Sequence, residues 1–270
     1  MASAGMELRK GTVMGKFDGY LICSDFDGTF AVTGEPVQRS LEAVRYFTQN
    51  GGRFTVATGR MIRFMEQRGV VAYINAPACL CNGSIVYDYA ENKLLCASYV
   101  SMTVREICEA VASASASVKS YLIYPNPEID WVLEEDWHNF PEAYLECKPL
   151  KMLFKFETEE QANAFEATAK ENPALKEIYI SKSWRFGVEF NPADGTKGKA
   201  LEYIRNHLGD IRTTVGVGDY ENDMTLLASA DIAATPEGGL EVLKAMADMI
   251  LCPCADGAIA DLIEKLEASL

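Results

Sequence analysis

Short apolar runs alternate with helix-like segments near the start of the chain and again near its end. In the first part, we predict buried strands at 20–25, 54–57 and 78–81, with helices between them where apolar residues recur at helical spacing. After residue 188 we predict strands at 213–217, 232–234 and 249–251, separated by helices at 199–208, 226–230, 240–246 and 259–266. This order is typical of parallel strands joined by right-handed crossovers. We therefore expect a doubly wound parallel sheet of the α/β class.

The middle of the chain, from about residue 84 to 188, follows a mixed pattern. Hairpins are predicted at 85–95 and 177–190, strands at 121–124 and 151–156, and helices at 104–117 and 159–170. These elements indicate a small α/β domain inserted into the first one. We expect residues 1–83 and 189–270 to form the core domain and residues 84–188 to form the inserted domain.

Charge and hydropathy narrow the classes of function. The formal net charge is −14 at pH 7, and nucleic-acid binding needs clustered Lys and Arg instead. No apolar run approaches the roughly 18 residues that cross a bilayer, and residues 1–19 lack the long apolar segment of a secretory signal. We expect a cytoplasmic protein that binds neither nucleic acid nor membrane and keeps its cysteines reduced.

Two carboxylates, Asp25 and Asp27, stand at the end of the first predicted strand, just before Gly28. Carboxylates this close repel one another unless a cation joins them, and Mg²⁺ is the hard cation that favours oxygen ligands. A carboxylate can also attack phosphorus to form an aspartyl-phosphate. The alternative is a surface turn in which Asp and Gly supply local hydrogen bonds.

Three further groups stand at strand ends or helix starts. Asp219 ends a predicted strand, and Asp223 follows four residues later. Thr58 and Gly59 offer a hydroxyl and an unencumbered amide before a helix, which suits an anion. Lys197 precedes another helix. Taken alone, each group could be only a turn, a helix cap or a solvated lysine. Ligands of parallel sheets, however, bind outside the carboxyl ends of the strands. Their joint placement there predicts one site.

The order Asp-x-Asp-Gly-Thr, Thr-Gly-Arg, Lys and Gly-Asp-x-x-Asn-Asp resembles the haloacid dehalogenase-like superfamily. The insertion resembles the C2 cap of its Cof-type sugar-phosphate phosphatases. The resemblance extends from about residue 20 to residue 270. It implies a Mg²⁺-dependent phosphatase that hydrolyses small phosphorylated metabolites such as sugar phosphates through an aspartyl-phosphate, with a cap that closes over the cleft. We expect a monomer or a weak homo-oligomer.

The resemblance also implies a role for each site residue. Asp25 would be the nucleophile, and Asp27 the general acid and then base, protonated at first because neighbouring carboxylates raise its pKa. Mg²⁺ would be held by Asp25, the backbone carbonyl of Asp27 and Asp219, with Asp223 completing or orienting these ligands. Lys197 would offset the negative charge and hold Asp25 against the phosphate. The residues expected to bind phosphate or substrate are Thr58, Gly59, Lys197, Asn222 and Asn82.

Two other functions stay open at this point. A phosphomannomutase-like phosphotransferase would return the phosphoryl group to sugar, and a non-catalytic relative would only bind phosphosugars. All motif groups are intact in the sequence, which favours the phosphatase. Four residues of the insertion are candidates for contact with the substrate: Trp137, His138, Trp184 and Arg185. The alternative is that they belong to the core or the surface of the cap.

Overall fold

A computed structural model describes residues 15–270. Most of the N-terminal segment considered above therefore lies outside the described residues. The strands are β1 (Tyr20–Ser24), β2 (Ala31–Val32), β3 (Glu35–Pro36), β4 (Arg53–Val56), β5 (Ala78–Leu80), β6 (Ile85–Asp88), β7 (Lys93–Ala97), β8 (Ser120–Tyr124), β9 (Val132–Glu134), β10 (Lys151–Lys155), β11 (Ile178–Trp184), β12 (Gly187–Pro192), β13 (Thr213–Val217), β14 (Ile232–Pro236) and β15 (Met249–Leu251). The α-helices are α1 (Gln38–Gln49), α2 (Ile62–Gln67), α3 (Val104–Val111), α4 (Glu142–Leu145), α5 (Glu159–Glu171), α6 (Lys197–Leu208), α7 (Met224–Ser229), α8 (Glu241–Met246) and α9 (Ala258–Ala268).

A parallel sheet in the order β15-β14-β13-β1-β4 forms the centre of the core domain. Alternate residues of β1 serve its two faces: Ile22 packs with α1 and α9, whereas Leu21 and Cys23 pack with α6 and α7. A strand buried on both faces must be apolar throughout, which is why β1 reads as a continuous apolar run. The predicted doubly wound α/β class is confirmed.

A second sheet, in the order β11-β12-β10-β8-β9, is antiparallel and forms the inserted domain. On β10, Met152 and Phe154 pack into a separate apolar core with α3 and α5. Side chains alternate between the faces of a strand, so Lys151 and Leu153 point to the opposite face. That face lies over the core domain, where Leu153 joins the main core cluster.

The hairpin β6–β7 pairs with β5, and its Ile85 and Tyr87 belong to the main core cluster. The division into residues 1–83 with 189–270 and residues 84–188 stays a prediction. The pairing of this hairpin favours a boundary near Ser98 rather than Ser84. At the other end, β12 runs to Pro192 in the second sheet, which favours a boundary after that residue.

Several local details differ from the sequence pattern. The predicted helix 104–117 is α-helical only as α3, and its last turns are a 3₁₀ helix over Ala112–Ser117. The short strand β9 and helix α4 were not predicted. Within residues 15–270, no helix combines the length and apolar character required to cross a membrane.

Candidate active site

The central site forms where two neighbouring parallel strands end. Asp25 follows β1 and Asp219 lies just beyond β13, and these strands pair with Ser24 opposite Val217. The backbone N–H of Asp25 donates to the carbonyl oxygen of Val217 at 2.7 Å. The sheet register therefore brings together two acidic residues that are far apart in sequence.

Three carboxylates converge at this point. Asp25, Asp219 and Asp223 each offer an oxygen that lies within 4.8 Å of the others. Burial raises the pKa of Asp25 well above its ordinary value, and the charges of Asp223 and Asp219 add to this while Lys197 opposes it. Burial and the charge of Asp223 raise the pKa of Asp219 to about 6. Because these oxygens repel one another and are of the kind that Mg²⁺ binds, the cluster fits a Mg²⁺ ion.

Lys197 is the buried cation beside the cluster. Its Nζ donates to Asp25 Oδ1 at 2.6 Å and to Asp223 Oδ1 at 2.5 Å, and the residue has no exposed surface. Burial lowers its pKa, but the two carboxylates outweigh this and hold the pKa above the usual range. The side chain of Thr196 caps α6 by accepting from the N–H of Lys199, and so fixes the helix turn that carries Lys197.

Hydrogen bonds fix the orientation of residues 219–223, which we call the acidic loop. Asp223 Oδ2 accepts from the backbone N–H groups of Asp219 and Tyr220, both at 3.0 Å. The hydroxyl of Thr29 donates to Asp219 Oδ1 at 2.9 Å. Gly28 has φ +89°, and a Cβ there would lie 2.4 Å from Asp219 Oδ2. Both oxygens of Asp223 are thus engaged, one by Lys197 and the other by the backbone N–H groups of Asp219 and Tyr220.

The carboxylate of Asp27 lies outside the cluster. It accepts from Arg60, with Nε at 2.8 Å from Oδ2 and Nη2 at 3.2 Å from Oδ1. The expected crowding of Asp27 by other carboxylates is therefore wrong, since its close charged partner is a guanidinium. The crowding falls instead on Asp25 and Asp219. The separation is explained by the chain path, because Asp27 has already left β1 and turns toward Ala31.

The loop after β4 presents a hydroxyl to the cleft. Thr58 is almost completely buried, and its Oγ1 accepts from the backbone N–H of Arg60 at 3.2 Å. The loop is tightly packed at Gly59, where a Cβ would lie 3.0 Å from Asn82 Oδ1. Asn82 is buried with φ 60°, and its Oδ1 accepts from Nδ2 of Asn222 at 3.1 Å. Asn82 therefore links the Thr58–Gly59 loop to the loop that contains Asn222.

A cleft of about 500 Å³ opens above these groups. The core residues that line it include Asp25, Asp27, Thr58, Gly59 and Asn222. The inserted domain contributes a roof that includes Tyr124, Trp131, Lys151, Trp184 and Glu189. The remaining predicted residues lie behind this surface: Asp219, Asp223, Lys197 and Asn82. Of the aromatic candidates, Trp184 lines the cleft, whereas Trp137 packs in the core of the inserted domain.

Sequence reasoning missed two buried roof residues, Lys151 and Glu189. They form an ion pair at 2.8 Å. The available signal was a charged residue next to apolar ones in a strand, as in Lys-Met-Leu-Phe and Gly-Val-Glu-Phe. Arg60 was noted only as part of its motif, and no role was predicted for it.

Comparisons with known proteins agree with this architecture. A family model described as haloacid dehalogenase-like hydrolase matches residues 22–263. The pyridoxal phosphate phosphatase YbhA of Escherichia coli is 21% identical over 263 residues, covering 90% of this chain and 97% of that protein. A phosphoglycolate phosphatase of Methanopyrus kandleri is 22% identical over 264 residues, covering 91% and 96%. A haloacid dehalogenase-like hydrolase from B. subtilis superposes with a TM-score of 0.75 at 18% identity, covering 91% and 99%.

Proposed function

Because the chain belongs to the haloacid dehalogenase-like hydrolases, we propose that it is a Mg²⁺-dependent phosphatase acting on small phosphorylated metabolites. The family match confirms the family and the enzyme class predicted from the motifs. The observation that carries the proposal is the carboxylate cluster of Asp25, Asp219 and Asp223 beside buried Lys197. Of these residues, Asp25 lines the cleft, together with Thr58.

The proposed reaction has two phosphoryl-transfer steps. A carboxylate oxygen of Asp25 attacks phosphorus, the bond from phosphorus to the alcohol oxygen breaks, and Asp27 gives that oxygen a proton. Asp27 then takes a proton from water as the water attacks the aspartyl-phosphate. Inorganic phosphate leaves, and the carboxylate of Asp25 is restored. The separation of Asp27 from the cluster supports this assignment, because a proton carrier must reach the leaving oxygen rather than the metal ligands.

The need to offset negative charge at the phosphoryl group supports the assignment of the other site residues. Asp25, the backbone carbonyl of Asp27 and Asp219 would hold Mg²⁺, with Asp223 orienting them; the ion would supply positive charge for the phosphoryl oxygens. Lys197 holds Asp25 in place through its hydrogen bond to Oδ1. The hydroxyl of Thr58, whose oxygen already accepts from Arg60 N–H, keeps its own proton free to donate to phosphate.

The size of the cleft supports a small substrate. A volume of about 500 Å³ lies within the range of small-molecule sites, roughly 300–1,000 Å³. The relatives named above act, by their names, on pyridoxal phosphate and phosphoglycolate, which are both small phosphomonoesters. Sugar phosphates belong to the same chemical class, and we include them among the proposed substrates.

Release of phosphate from p-nitrophenyl phosphate tests the proposal. We expect turnover that requires Mg²⁺, stops with EDTA and is lost in Asp25→Asn. Turnover no greater than that of Asp25→Asn would overturn it. Hexose phosphates provide a second assay, because an isomerised sugar phosphate without free phosphate would identify a phosphotransferase instead.

A further inference from the structure

A buried chain of polar groups joins the roof of the cleft to two loops of its floor. Its centre is the roof pair, Lys151 of β10 and Glu189 of β12, which are 1% and 2% exposed. Both residues point away from the apolar core of the inserted domain and line the cleft. Burial raises the pKa of Glu189, but Lys151 outweighs this and lowers it below the ordinary value. The pair is therefore ionised and buried.

Lys151 donates two hydrogen bonds, one within the roof and one to the floor. Its Nζ donates to Glu189 Oε1 at 2.8 Å and to the carbonyl oxygen of Gly59 at 3.1 Å. The same group lies 4.5 Å from the centre of the Tyr124 ring, within range of a cation–π contact. An ammonium group has three N–H donors, and two of those of Lys151 are used in these hydrogen bonds. Its contacts indicate a structural connection between roof and floor.

The contact with Gly59 bears on the phosphate-binding hydroxyl. The peptide between Gly59 and Arg60 is held at both ends: Lys151 binds its carbonyl oxygen, and Thr58 Oγ1 accepts from its N–H. A peptide that is fixed in this way fixes the acceptor direction at Thr58 Oγ1. The hydroxyl proton of Thr58 is then directed away from this N–H. Because Thr58 lines the cleft, that proton is available to a group bound there.

Glu189 makes the second connection. Its Oε2 accepts from Nδ2 of Asn82 at 2.8 Å, and Asn82 Oδ1 accepts from Nδ2 of Asn222 at 3.1 Å. Asn82 Nδ2 also donates to Asn191 of the same roof strand at 3.1 Å. The roof pair therefore contacts the Thr58–Gly59 loop directly and the acidic loop through one asparagine.

We propose that Lys151 and Glu189 are positioning residues, which hold the Thr58–Gly59 loop and Asn222 in the geometry of phosphoryl transfer when the inserted domain sits on the core. This inference rests on the proposed phosphatase function. A buried ion pair adds little stability compared with apolar residues of similar size, whereas misplacement of reacting groups by about 1 Å can lower a rate about 100-fold. The phosphate-binding groups are therefore correctly placed only when the inserted domain packs against the core domain.

Steady-state kinetics of Lys151→Met and Glu189→Gln test the inference first. We expect kcat to fall at least about tenfold, and by the same factor for p-nitrophenyl phosphate and glucose 6-phosphate, because the lost interaction concerns the phosphoryl end that they share. A residue that contacts only the leaving group would change the two substrates by different factors. Such unequal changes, or an unchanged kcat, would overturn the proposal.

Lys182→Met is the matched control. Lys182 is 8% exposed on β11 of the same sheet, and its own partners are Glu166 and Asn163 of α5, none of which lines the cleft. We expect it to lower stability without a comparable loss of kcat. An equal loss of kcat in this variant would show that any buried ion pair of the inserted domain has the same effect, and the positioning role would be rejected.

The double variant Lys151→Met/Glu189→Met separates positioning from folding. Replacing both charges by apolar groups is expected to return Tm toward the wild-type value, because no buried charge is left unpaired. The positioning role predicts that kcat stays low in this variant. Recovery of kcat together with Tm would reduce the roof pair to a structural contact.

Hydrogen–deuterium exchange gives a readout that does not depend on turnover. We expect the amide hydrogens of residues 58–60 to exchange faster in Glu189→Gln than in the wild type or in Lys182→Met. If the wild type releases no phosphate, the proposed function fails, but this exchange still decides whether the roof pair holds the loop. Unchanged exchange in this segment would overturn the inference.

Discussion

The ammonium group of Lys197 lies between two buried carboxylates, Asp25 and Asp223, and donates a hydrogen bond to each. Its removal leaves uncompensated buried charge, which costs about 3–5 kcal/mol. We expect Lys197→Met to lower the free energy of unfolding by about that amount, and kcat at least about 100-fold. Denaturant unfolding and phosphate release measure the two effects. Lys199→Met should leave both near wild type, because Lys199 is exposed and pairs with Glu202; near-normal kcat in Lys197→Met would contradict the role.

Asp27 and Asp219 are expected to differ in their dependence on Mg²⁺. The carboxylate of Asp27 binds Arg60, whereas that of Asp219 belongs to the cluster. We expect Asp27→Asn to lose roughly 10²–10⁴-fold in kcat but to keep a Mg²⁺-dependent rise in Tm. Asp219→Asn should lose that rise. Thermal scans with and without Mg²⁺ measure it, and the opposite pattern would show that the metal ligands are misassigned.

The raised pKa of Asp219 predicts how metal stabilisation depends on pH. Its pKa is about 6 in the folded protein, against an ordinary value of about 3.9. An acid whose pKa rises on folding stabilises the fold below the lower value, and this contribution is lost as the pH rises through the higher one. Mg²⁺ binds the deprotonated carboxylates, so its stabilisation should grow over the same interval.

We therefore expect the Mg²⁺-induced increase in Tm to be larger at about pH 7.5 than at about pH 5. Thermal scans of the wild type at both values, with and without Mg²⁺, measure the difference. Asp219→Asn is the control and should show little Mg²⁺ effect at either pH. Equal increases in the wild type at both values would argue against a titrating carboxylate ligand.

At the scale of elements, the loop between β5 and β6 packs against the start of α6. Gly83 has φ +108°, and a Cβ there would lie 2.2 Å from the carbonyl oxygen of Thr196. We expect Gly83→Ala to cost at least about 3 kcal/mol, from backbone strain and this collision, and to lower kcat by displacing Lys197. Gly69→Ala is the control, because Gly69 has φ +66° but nothing within 4 Å. It should cost about 1 kcal/mol, and equal losses would contradict the packing argument. Denaturant unfolding measures both.

The elements also explain which site residues were predictable from the sequence. Asp25 and Asp219 were predictable because each follows an apolar run, and the ends of parallel strands lie at the same edge of a sheet. Lys151 and Glu189 were not, because their pairing depends on the antiparallel register of β10 and β12. The β6–β7 hairpin was recognised as a hairpin, but its placement depends on pairing with β5, which no local pattern encodes.

At the scale of the whole molecule, the cleft forms where two differently built sheets meet. The parallel sheet supplies carboxylates at its strand ends, and the antiparallel sheet supplies a roof whose cleft face includes Lys151 and Glu189 and whose other face packs in an apolar core. Phosphoryl transfer depends chiefly on positioning and charge neutralisation; in the proposed function the core domain neutralises charge, and both domains position the reacting groups. The carboxylates of the floor and the ion pair of the roof therefore come from different sheets.

Trapping of a phosphoryl group on Asp25 tests the account most directly. The Asp27→Asn variant is suitable because it lacks the base for the second step, while p-nitrophenolate leaves without needing a proton donor. After incubation with p-nitrophenyl phosphate and Mg²⁺, acid quenching and peptide mass spectrometry should find one phosphoryl group on Asp25. It should be absent from the Asp25→Asn/Asp27→Asn variant. Release of phosphate by the wild type with no adduct on Asp25, or with an adduct on another residue, would contradict the account.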